Sequence, residues 1–352
     1  MRLEFLTSTP PSPTEGSGTW VGIDSLRRGL ERLGHVVTVR PLGTRTGFHT
    51  LDRYRYNAGI VRHPPRADLV VGVDLDGFLW ARGRGPTRYA VALKGIIADE
   101  LRNERGLVRA LLGVQARWER ANVQRADRVV VSSRYSAAIA QDVYAVPKDR
   151  LRVVPEALDV EEWRRRFAAA SAARARRPTV LAVARMYPRK RLEDLLEAAA
   201  LLRPRIPDLH VRIVGEGPES ARLRRRCRGL GLDGVVRFLG EVSRQALAVE
   251  YVGADVFCLP TVQEGFGLVF AEAMAAGLPV VACRAAAVPE VVEDRRTGLL
   301  VNPRSPDELA MAMETLLTNP GLRGEMGEAG RRRAEALDLE RVAARFVDAV
   351  RA

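Results

Sequence analysis

Two glutamates eight positions apart enclose a glycine-rich turn in residues 263–272. Glu264 lies in the turn, and Gly265 and Gly267 enclose Phe266 before an apolar stretch with the composition of a helix. A glycine turn that opens a helix leaves backbone amides free for an anion. A carboxylate beside an anion site is unfavourable unless it has another task, and accepting hydrogen bonds from sugar hydroxyls is such a task. The alternative is an ordinary turn and a solvated Glu272.

Two other segments carry residue types suited to a phosphorylated ligand. Arg185 and Lys190 follow an apolar strand-like run, where they could neutralise the charge of a diphosphate leaving group. Gly215 opens a Gly-Glu-Gly step after a second such run, as in loops that line nucleotide pockets. A solvated basic loop and a plain turn are the alternatives for these two segments.

Strand-like and helix-like runs alternate along the whole chain, and this alternation predicts α/β domains. In the first half, strands are expected at residues 2–7, 36–39, 68–73, 89–93, 128–131 and 151–154, helices at 23–33 and 100–124, and a loop at 10–19. After a linker at 167–178, strands are expected at 179–184, 210–214, 235–238, 256–259, 279–282 and 298–301. Helices are expected at 192–202, 219–229, 245–251, 267–276, 306–317 and 338–350. Ligands of such sheets bind at the carboxyl ends of the strands, so we expect the site there.

Taken with residues 236–240, 273–280, 289–292 and 297–300, these segments resemble the GT-B-fold retaining glycosyltransferases of family 4, the glycosyl transferases group 1. The resemblance covers about residues 179–317. It implies an α/β protein of GT-B architecture, with two Rossmann-like doubly wound domains facing a central cleft. Residues 1–170 would form the acceptor-side domain, 171–337 the donor domain, and 338–352 a helix packing back toward the first domain.

The resemblance also implies roles for individual residues of the second domain. Glu264 would hold hydroxyls of the transferred sugar, Glu272 the ribose, and Arg185 and Lys190 the diphosphate. Backbone amides would cradle the sugar and phosphate at Gly265, Phe266, Gly267, Leu268 and Val269. The base would lie near Gly215 and Val242.

The first domain departs from the family pattern at several positions. Gly18 stands where the family has a second glycine of a phosphate-side loop, and Lys94 stands where it has a histidine that faces the donor sugar. Residues 155–159 read Pro-Glu-Ala-Leu-Asp in place of Pro-Asn-Gly-Val-Asp. Lysine is rare, with three against 53 arginines, and an ammonium and a guanidinium are not interchangeable. The hypothesis is that Lys94 contacts the donor sugar, the phosphate or an anionic acceptor; a plain surface charge is the alternative.

Composition narrows the class of protein. The net charge of +13 is spread along the chain, aromatic residues make up 6%, and no nucleic-acid-binding motif is present, so no nucleic-acid partner is expected. The scattered cysteines Cys227, Cys258 and Cys283 fit core packing and a reducing, cytoplasmic location. We expect no secretory leader and no membrane-spanning run.

Two further features have competing interpretations. Asp74 and Asp76 form an Asp-x-Asp pair, for which an acceptor contact or a helix cap is expected in preference to a metal site. Residues 100–124 combine arginines with leucines, so they predict either a solvated face over a core stripe or a helix that docks on the inner face of an anionic membrane.

The sequence therefore predicts a metal-independent retaining transferase that moves a hexose-type sugar from a nucleotide-diphosphate sugar. A UDP- or GDP-sugar is the expected donor, and the acceptor, a glycan, lipid or small molecule, is unidentified. The alternatives are a non-catalytic nucleotide-sugar-binding subunit and an epimerase or hydrolase on the same fold.

Overall fold

The structure is a computed structural model that describes residues 1–11, 17–43, 45–170 and 177–351. The chain divides into two compact units. The first unit comprises Met1–Ala157 with Leu339–Ala352, and the second comprises Leu158–Asp338. Each unit contains a six-stranded parallel sheet.

The first unit has central strands that are apolar on both faces. Its elements are β1 (Arg2–Leu6), α1 (Ser17–Arg32), β2 (Val36–Arg40), α2 (His49–Arg62), β3 (Leu69–Val73), β4 (Arg88–Leu93), α3 (Ile97–Glu100), α4 (Gly106–Arg125), β5 (Arg128–Val131), α5 (Arg134–Tyr144) and β6 (Leu151–Val153). The strand order is β2-β1-β3-β4-β5-β6. Strand β3, Leu-Val-Val-Gly-Val, is buried throughout, as is typical of a parallel sheet covered by helices on both sides.

The second unit repeats this architecture. Its elements are α6 (Val160–Ala170), β7 (Thr179–Val183), α7 (Leu192–Leu202), β8 (His210–Val214), α8 (Ser220–Gly229), β9 (Val236–Gly240), α9 (Arg244–Val252), β10 (Val256–Leu259), α10 (Leu268–Ala276), β11 (Val280–Cys283), α11 (Val288–Val291), β12 (Gly298–Val301), α12 (Pro306–Thr318) and α13 (Pro320–Glu335). The strand order is β12-β11-β10-β7-β8-β9. Cys227, Cys258 and Cys283 are buried and free, as expected for core residues.

The chain ends with α14 (Leu339–Arg351), which returns to the first unit and packs against α1. The ring of Phe346 stacks on Phe5 of β1, with 6.1 Å between the ring centres. Gly29 allows the two helices to approach, because a Cβ atom there would lie 2.4 Å from the carbonyl oxygen of Leu339. The last helix thus completes the core of the first unit.

The strand order locates the place where each sheet can bind a ligand. In the second sheet the connections reverse direction between β7 and β10, and in the first sheet they reverse between β1 and β3. Loops that leave two neighbouring strands in opposite directions open a crevice at the carboxyl ends of the strands. In the second unit these are the loops after β7 and β10, which contain Lys190 and Glu264.

Four sequence predictions differ from the structure. The linker expected at 167–178 begins later, because α6 extends to Ala170; residues 171–176 lie outside the described part of the chain. The helix expected at 100–124 is broken, because Arg105 is extended (φ −135°, ψ 165°) and Gly106 is left-handed (φ 58°), so α4 starts at Gly106. The loop expected at 10–19 ends earlier, because α1 begins at Ser17; residues 12–16 lie outside the described part of the chain. The first unit ends at residue 157 and not at 170, because α6 packs against α9 and α10.

Candidate active site

Hydrogen bonds fasten the loop after β7 to the loop after β10. The amide of Val262 donates to the carbonyl oxygen of Arg189 over 3.0 Å. The hydroxyl of the buried Thr261 lies 3.2 Å from the same carbonyl oxygen and 3.0 Å from that of Gln263. The two loops, about seventy residues apart in sequence, are therefore held in one fixed arrangement at the switch point of the second sheet.

Within this frame, Lys190 and Glu264 form an ion pair through Nζ and Oε1. Their side chains are only 12% and 13% exposed. Lys190 ends a single 3₁₀ turn, Pro188–Lys190, and the next residue, Arg191, is left-handed (φ 52°) and binds Asp194. The structure thus brings together two of the predicted site residues, one of each charge, beside the start of a helix.

That helix is α10, and its geometry depends on glycine. Gly267 has a φ of 92° and immediately precedes the helix, so no side chain caps its first amides. A Cβ atom at Gly267 would lie 2.6 Å from the ring of Phe270. Phe266 is buried in the core, which anchors the turn. The amide end of α10, at Leu268 and Val269, provides the positive end of a helix dipole where the sequence predicted it.

Glu272 lies further along α10 and is buried. Its Oε2 accepts a hydrogen bond of 2.9 Å from the hydroxyl of Tyr251. Burial raises the pKa of Glu272 to about 7, although this hydrogen bond and the charge of Arg244 both favour the carboxylate. Tyr251 is fixed by Trp163 of α6, whose ring meets it edge-on at 5.7 Å. Tyr251 was not among the predicted site residues, because nothing in a helix of ordinary composition distinguishes it.

The ends of β7, β8 and β9 pack backbone against backbone. Gly215 has a φ of 114°, its amide donates to the carbonyl oxygen of Gly240 over 2.7 Å, and a Cβ atom on it would lie 2.2 Å from the carbonyl oxygen of Ala184. Arg185 follows Ala184 directly and is half-buried, with its guanidinium 5.8 Å from the ring centre of Tyr187. Glycine is therefore required at 215 for a close approach of three loops.

The positions of Val242, Gly265 and Gly18 are consistent with loops near a site and fix no contact. Val242 is half-buried just after β9, and Gly265 is half-buried between Glu264 and Phe266. Gly18, in the first turn of α1, is exposed, and no atom lies within 4 Å of where its Cβ atom would be. The binding roles given to these three residues stay predictions.

In the first unit, Lys94 pairs with a residue that the sequence analysis did not propose. Its Nζ lies 3.0 Å and 2.7 Å from the two carboxylate oxygens of Glu156. The signal for Glu156 was the departure at residues 155–159, where an acidic residue replaces the family's asparagine. A buried charge calls for an opposite partner, so a glutamate in that place could have been matched to the unusual lysine.

The aspartate pair has an internal structural role. Asp76 accepts hydrogen bonds from the amide of Ser8 (2.5 Å), its hydroxyl (2.7 Å) and the side-chain amide of Asn57 (3.0 Å). Asp74 accepts from the amide of Lys94 over 2.8 Å, and burial raises the pKa of Asp74 to about 6. Within the described ranges no group of three or more acidic, histidine or cysteine side chains is placed to hold a metal ion.

Comparison with known proteins places this geometry in a family. A model of the family described as glycosyl transferases group 1 matches residues 164–333. A GDP-mannose-dependent alpha-(1-6)-phosphatidylinositol monomannoside mannosyltransferase of Mycolicibacterium smegmatis is 33% identical over 308 residues, which are 77% of this chain and 78% of that protein. The chain belongs to the glycosyl transferases group 1. It is a glycosyltransferase that uses a nucleotide-sugar donor, as the sequence predicted.

A further relative supports the family, and a solved structure supports the fold. A D-inositol 3-phosphate glycosyltransferase of Kribbella flavida is 36% identical over 235 residues, which are 62% of this chain and about half, 54%, of that protein. Sucrose-phosphate synthase of Thermosynechococcus elongatus has a TM-score of 0.83 at 22% identity, over 99% of this chain and 98% of that one. The predicted GT-B fold is confirmed. Across the described ranges, no helix has both the length and the apolar character needed to cross a bilayer.

The raised pKa of Glu272 predicts how stability depends on pH. The unfolded chain releases this proton near the ordinary pKa of 4.5, whereas the folded chain holds it until about pH 7. Folding is therefore favoured below pH 4.5, and this contribution is lost as the pH rises through 7. We expect Glu272→Gln to match the wild type near pH 4.5 and to exceed its free energy of unfolding by up to about 3 kcal/mol above pH 7, measured by urea unfolding.

Glu308→Gln serves as a control of opposite sign. Glu308 accepts hydrogen bonds from the amide and the side chain of Asn302, each 2.8 Å long, and these bonds lower its pKa. Glu308→Gln should lower the free energy of unfolding above about pH 4.5, and this loss should fade as the pH falls below that value. Parallel pH curves for the wild type and Glu272→Gln would show that Glu272 does not hold a proton in the folded chain.

Proposed function

We propose that this chain is a retaining mannosyltransferase that takes its sugar from GDP-mannose. The observation that carries the proposal is the Lys190–Glu264 pair, which places a cation and a hydrogen-bond acceptor side by side at the start of α10. A diphosphate and a sugar ring need these two groups next to each other. The Mycolicibacterium smegmatis relative, named GDP-mannose-dependent, supports guanine and mannose as the base and the sugar.

Each residue of the donor site has a proposed task. Arg185 and Lys190 bind the diphosphate, the amides of residues 265–269 hold sugar and phosphate, and Glu264 accepts hydrogen bonds from sugar hydroxyls. Glu272 holds the ribose, and the loops at Gly215 and Val242 border the base. We assign the donor to the second unit and the acceptor to the first.

The reaction breaks the bond between the anomeric carbon and the phosphate oxygen, and the electron pair leaves with GDP. The acceptor oxygen forms its bond from the same face, and its proton passes to the departing phosphate oxygen. Arg185, Lys190 and the helix start stabilise the negative charge that develops on the phosphate. Because these groups supply the positive charge locally, we propose that the reaction needs no metal ion. We also propose a cytoplasmic location, in keeping with the free, buried cysteines. Lys94, at the carboxyl end of β4, keeps its proposed role as a contact of the donor sugar, the phosphate or an anionic acceptor.

The donor assignment predicts a ranking of substrates. Among GDP-mannose, GDP-glucose, UDP-glucose and ADP-glucose, we expect GDP-mannose to give the highest kcat/KM for donor consumption, unchanged by EDTA. Lys190→Met should lower kcat by about 10²- to 10³-fold, because it removes a preorganised charge from the leaving group. Arg189→Met, one residue earlier and stacked on Tyr187 at 4.7 Å, is the matched control and should keep most of the activity. A metal requirement, or full activity of Lys190→Met, would contradict the assignment.

A face of the first unit supports peripheral contact with an anionic membrane. Helices α2 and α4 are joined by hydrogen bonds from Arg53 to Gln115 (3.2 Å) and from Gln115 to Thr50 (2.8 Å). Their acidic residues, Asp52 and Glu119, are buried. Every charged side chain that these helices expose is an arginine: Arg55, Arg62, Arg109, Arg117 and Arg120.

Apolar side chains stand among these arginines. Leu107 and Val108, in the first turn of α4, are 72% and 53% exposed. Exposed apolar residues also occur at and near α2: Phe48, Leu51 and Tyr54. Apolar side chains that can enter a bilayer, among cations that attract its headgroups, fit an anionic lipid surface. Such contact would give access to a lipid-linked acceptor.

The membrane proposal predicts co-sedimentation with phosphatidylglycerol-containing vesicles at low salt and none with neutral phosphatidylcholine vesicles. The double change Leu107→Ser and Val108→Ser should abolish it, and Arg109→Gln should weaken binding about fivefold. Met311→Ser, an equally exposed apolar residue on α12, is the control and should bind as the wild type does. Absence of wild-type binding to anionic vesicles would refute the membrane contact and leave the donor assignment untouched.

A further inference from the structure

A cavity of about 250 Å³ lies at the amino edge of the first sheet, where three neighbouring strands begin. This is the edge opposite to the carboxyl ends of the strands, at which sheets of this class bind their substrates. The cavity therefore has no part in the function proposed above. Its lining includes the first residues of β3, β4 and β5 and a residue of α14, as follows: Leu69, Arg88, Ala90, Asp127, Arg128 and Val350.

The strand register places two arginines on one face of the sheet. Arg88 is the partner of Leu69, and Arg128 is the partner of Ala90. Register partners project to the same side of a sheet, as do residues two positions apart, so the four side chains share one face. Leu69, Ala90 and Val350 belong to the same apolar core, whereas Arg88 is exposed and Arg128 is half-buried. The cavity thus has an apolar floor beneath the end of α14 and two guanidinium groups at its rim.

The acidic side chain of the lining does not balance these two arginines. Asp127 accepts a hydrogen bond on one oxygen from the guanidinium of Arg84, and on the other from the amide of Tyr89 over 2.8 Å. Both carboxylate oxygens are therefore already engaged. With Arg84 included, three guanidinium groups surround one carboxylate, so the cavity carries an excess of positive charge.

Backbone carbonyl groups hold the two arginines in place. The guanidinium of Arg88 donates to the carbonyl oxygen of Val350 over 2.7 Å, at the negative end of the α14 dipole. Arg128 donates to the carbonyl oxygen of Asp127 over 2.9 Å. A guanidinium has five N–H donors in one plane, so it can hold a carbonyl group and an anion together. One strand spacing and a two-residue rise put the two Cα atoms about 8 Å apart, so both side chains can reach one anion.

Size and charge define the class of ligand. A volume of about 250 Å³ is well above the roughly 30 Å³ that one water takes in the liquid. It is below the pockets of about 300–1,000 Å³ that hold drug-sized ligands, so a nucleotide is too large. Arginine forms paired, charge-assisted hydrogen bonds with phosphate, and an apolar floor suits a short carbon skeleton. We infer that this cavity of the first unit is a binding site for a small phosphate monoester.

Titration calorimetry with glycerol 3-phosphate at low salt tests this inference. We expect a Kd below about 1 mM, and no binding of glycerol, which lacks the phosphate. Arg88→Gln and Arg128→Gln should each weaken binding by about tenfold or more, because each removes one charge-assisted contact. Arg2→Gln is the matched control: Arg2 begins β1 at the same edge, is 70% exposed and does not line the cavity, so binding should not change.

Two further variants separate binding at this site from other effects. Lys190→Met removes a cation of the proposed donor site and should bind glycerol 3-phosphate as the wild type does. Arg128→Lys keeps the charge and loses the planar fork, so it should weaken binding less than Arg128→Gln does. Urea unfolding of each variant shows that the protein tested is folded.

The phosphate can belong to a free ester or to a lipid headgroup. If glycerol 3-phosphate does not bind, but phosphatidylcholine vesicles containing phosphatidic acid do and Arg128→Gln abolishes this, the headgroup is the ligand. Absence of binding to both probes would overturn the inference. So would binding that is unchanged in both Arg88→Gln and Arg128→Gln. Loss of binding in Lys190→Met alone would assign the phosphate to the donor site and overturn it as well.

Discussion

The donor site depends on one electrostatic constraint, the pairing of Lys190 with Glu264 in a place largely closed to water. Neither charge could be held there alone, because an unpaired buried charge is costly. The pair is possible because Thr261 and Val262 fasten the second loop to the carbonyl oxygen of Arg189. Without a ligand, the ammonium group and the carboxylate satisfy each other, and a bound ligand can replace the partner of each. A diphosphate is a better partner for the ammonium group, and sugar hydroxyls can satisfy the carboxylate.

The same principle operates in the first unit. Lys94 and Glu156 also satisfy each other, with side chains that are only 11% and 9% exposed. Glycines make both arrangements possible: Gly267 shapes the start of α10, and Gly22 lets α1 approach the second pair.

Local patterns predicted the sheets well and the helices less well. Runs such as residues 179–184 are apolar and bounded by turn residues, so most strands were placed within one or two positions. Helices α2 and α13 were not predicted, because their polar and arginine-rich sequences lack a clear apolar stripe. Helices α5 and α6 were also missed, although both are amphipathic. The resemblance predicted Lys190 and Glu264 from spacing, but their pairing is a tertiary contact. Glu156 was missed because its pairing with Lys94 is also a tertiary contact. The departure at residues 155–159 marked the position as unusual, but the fold decides which lysine it meets.

The most direct measurement is the affinity of the wild type and of Glu264→Gln for GDP, determined by titration calorimetry. GDP offers a diphosphate and no sugar, so it competes with Glu264 for Lys190 and gains nothing from the carboxylate. We expect Glu264→Gln to bind GDP more tightly than the wild type, by about fivefold or more. Its gain in affinity for GDP-mannose should be smaller, because contacts to the sugar are lost. Equal or weaker binding of GDP by Glu264→Gln would contradict the central claim that Lys190 is exchanged between Glu264 and the diphosphate.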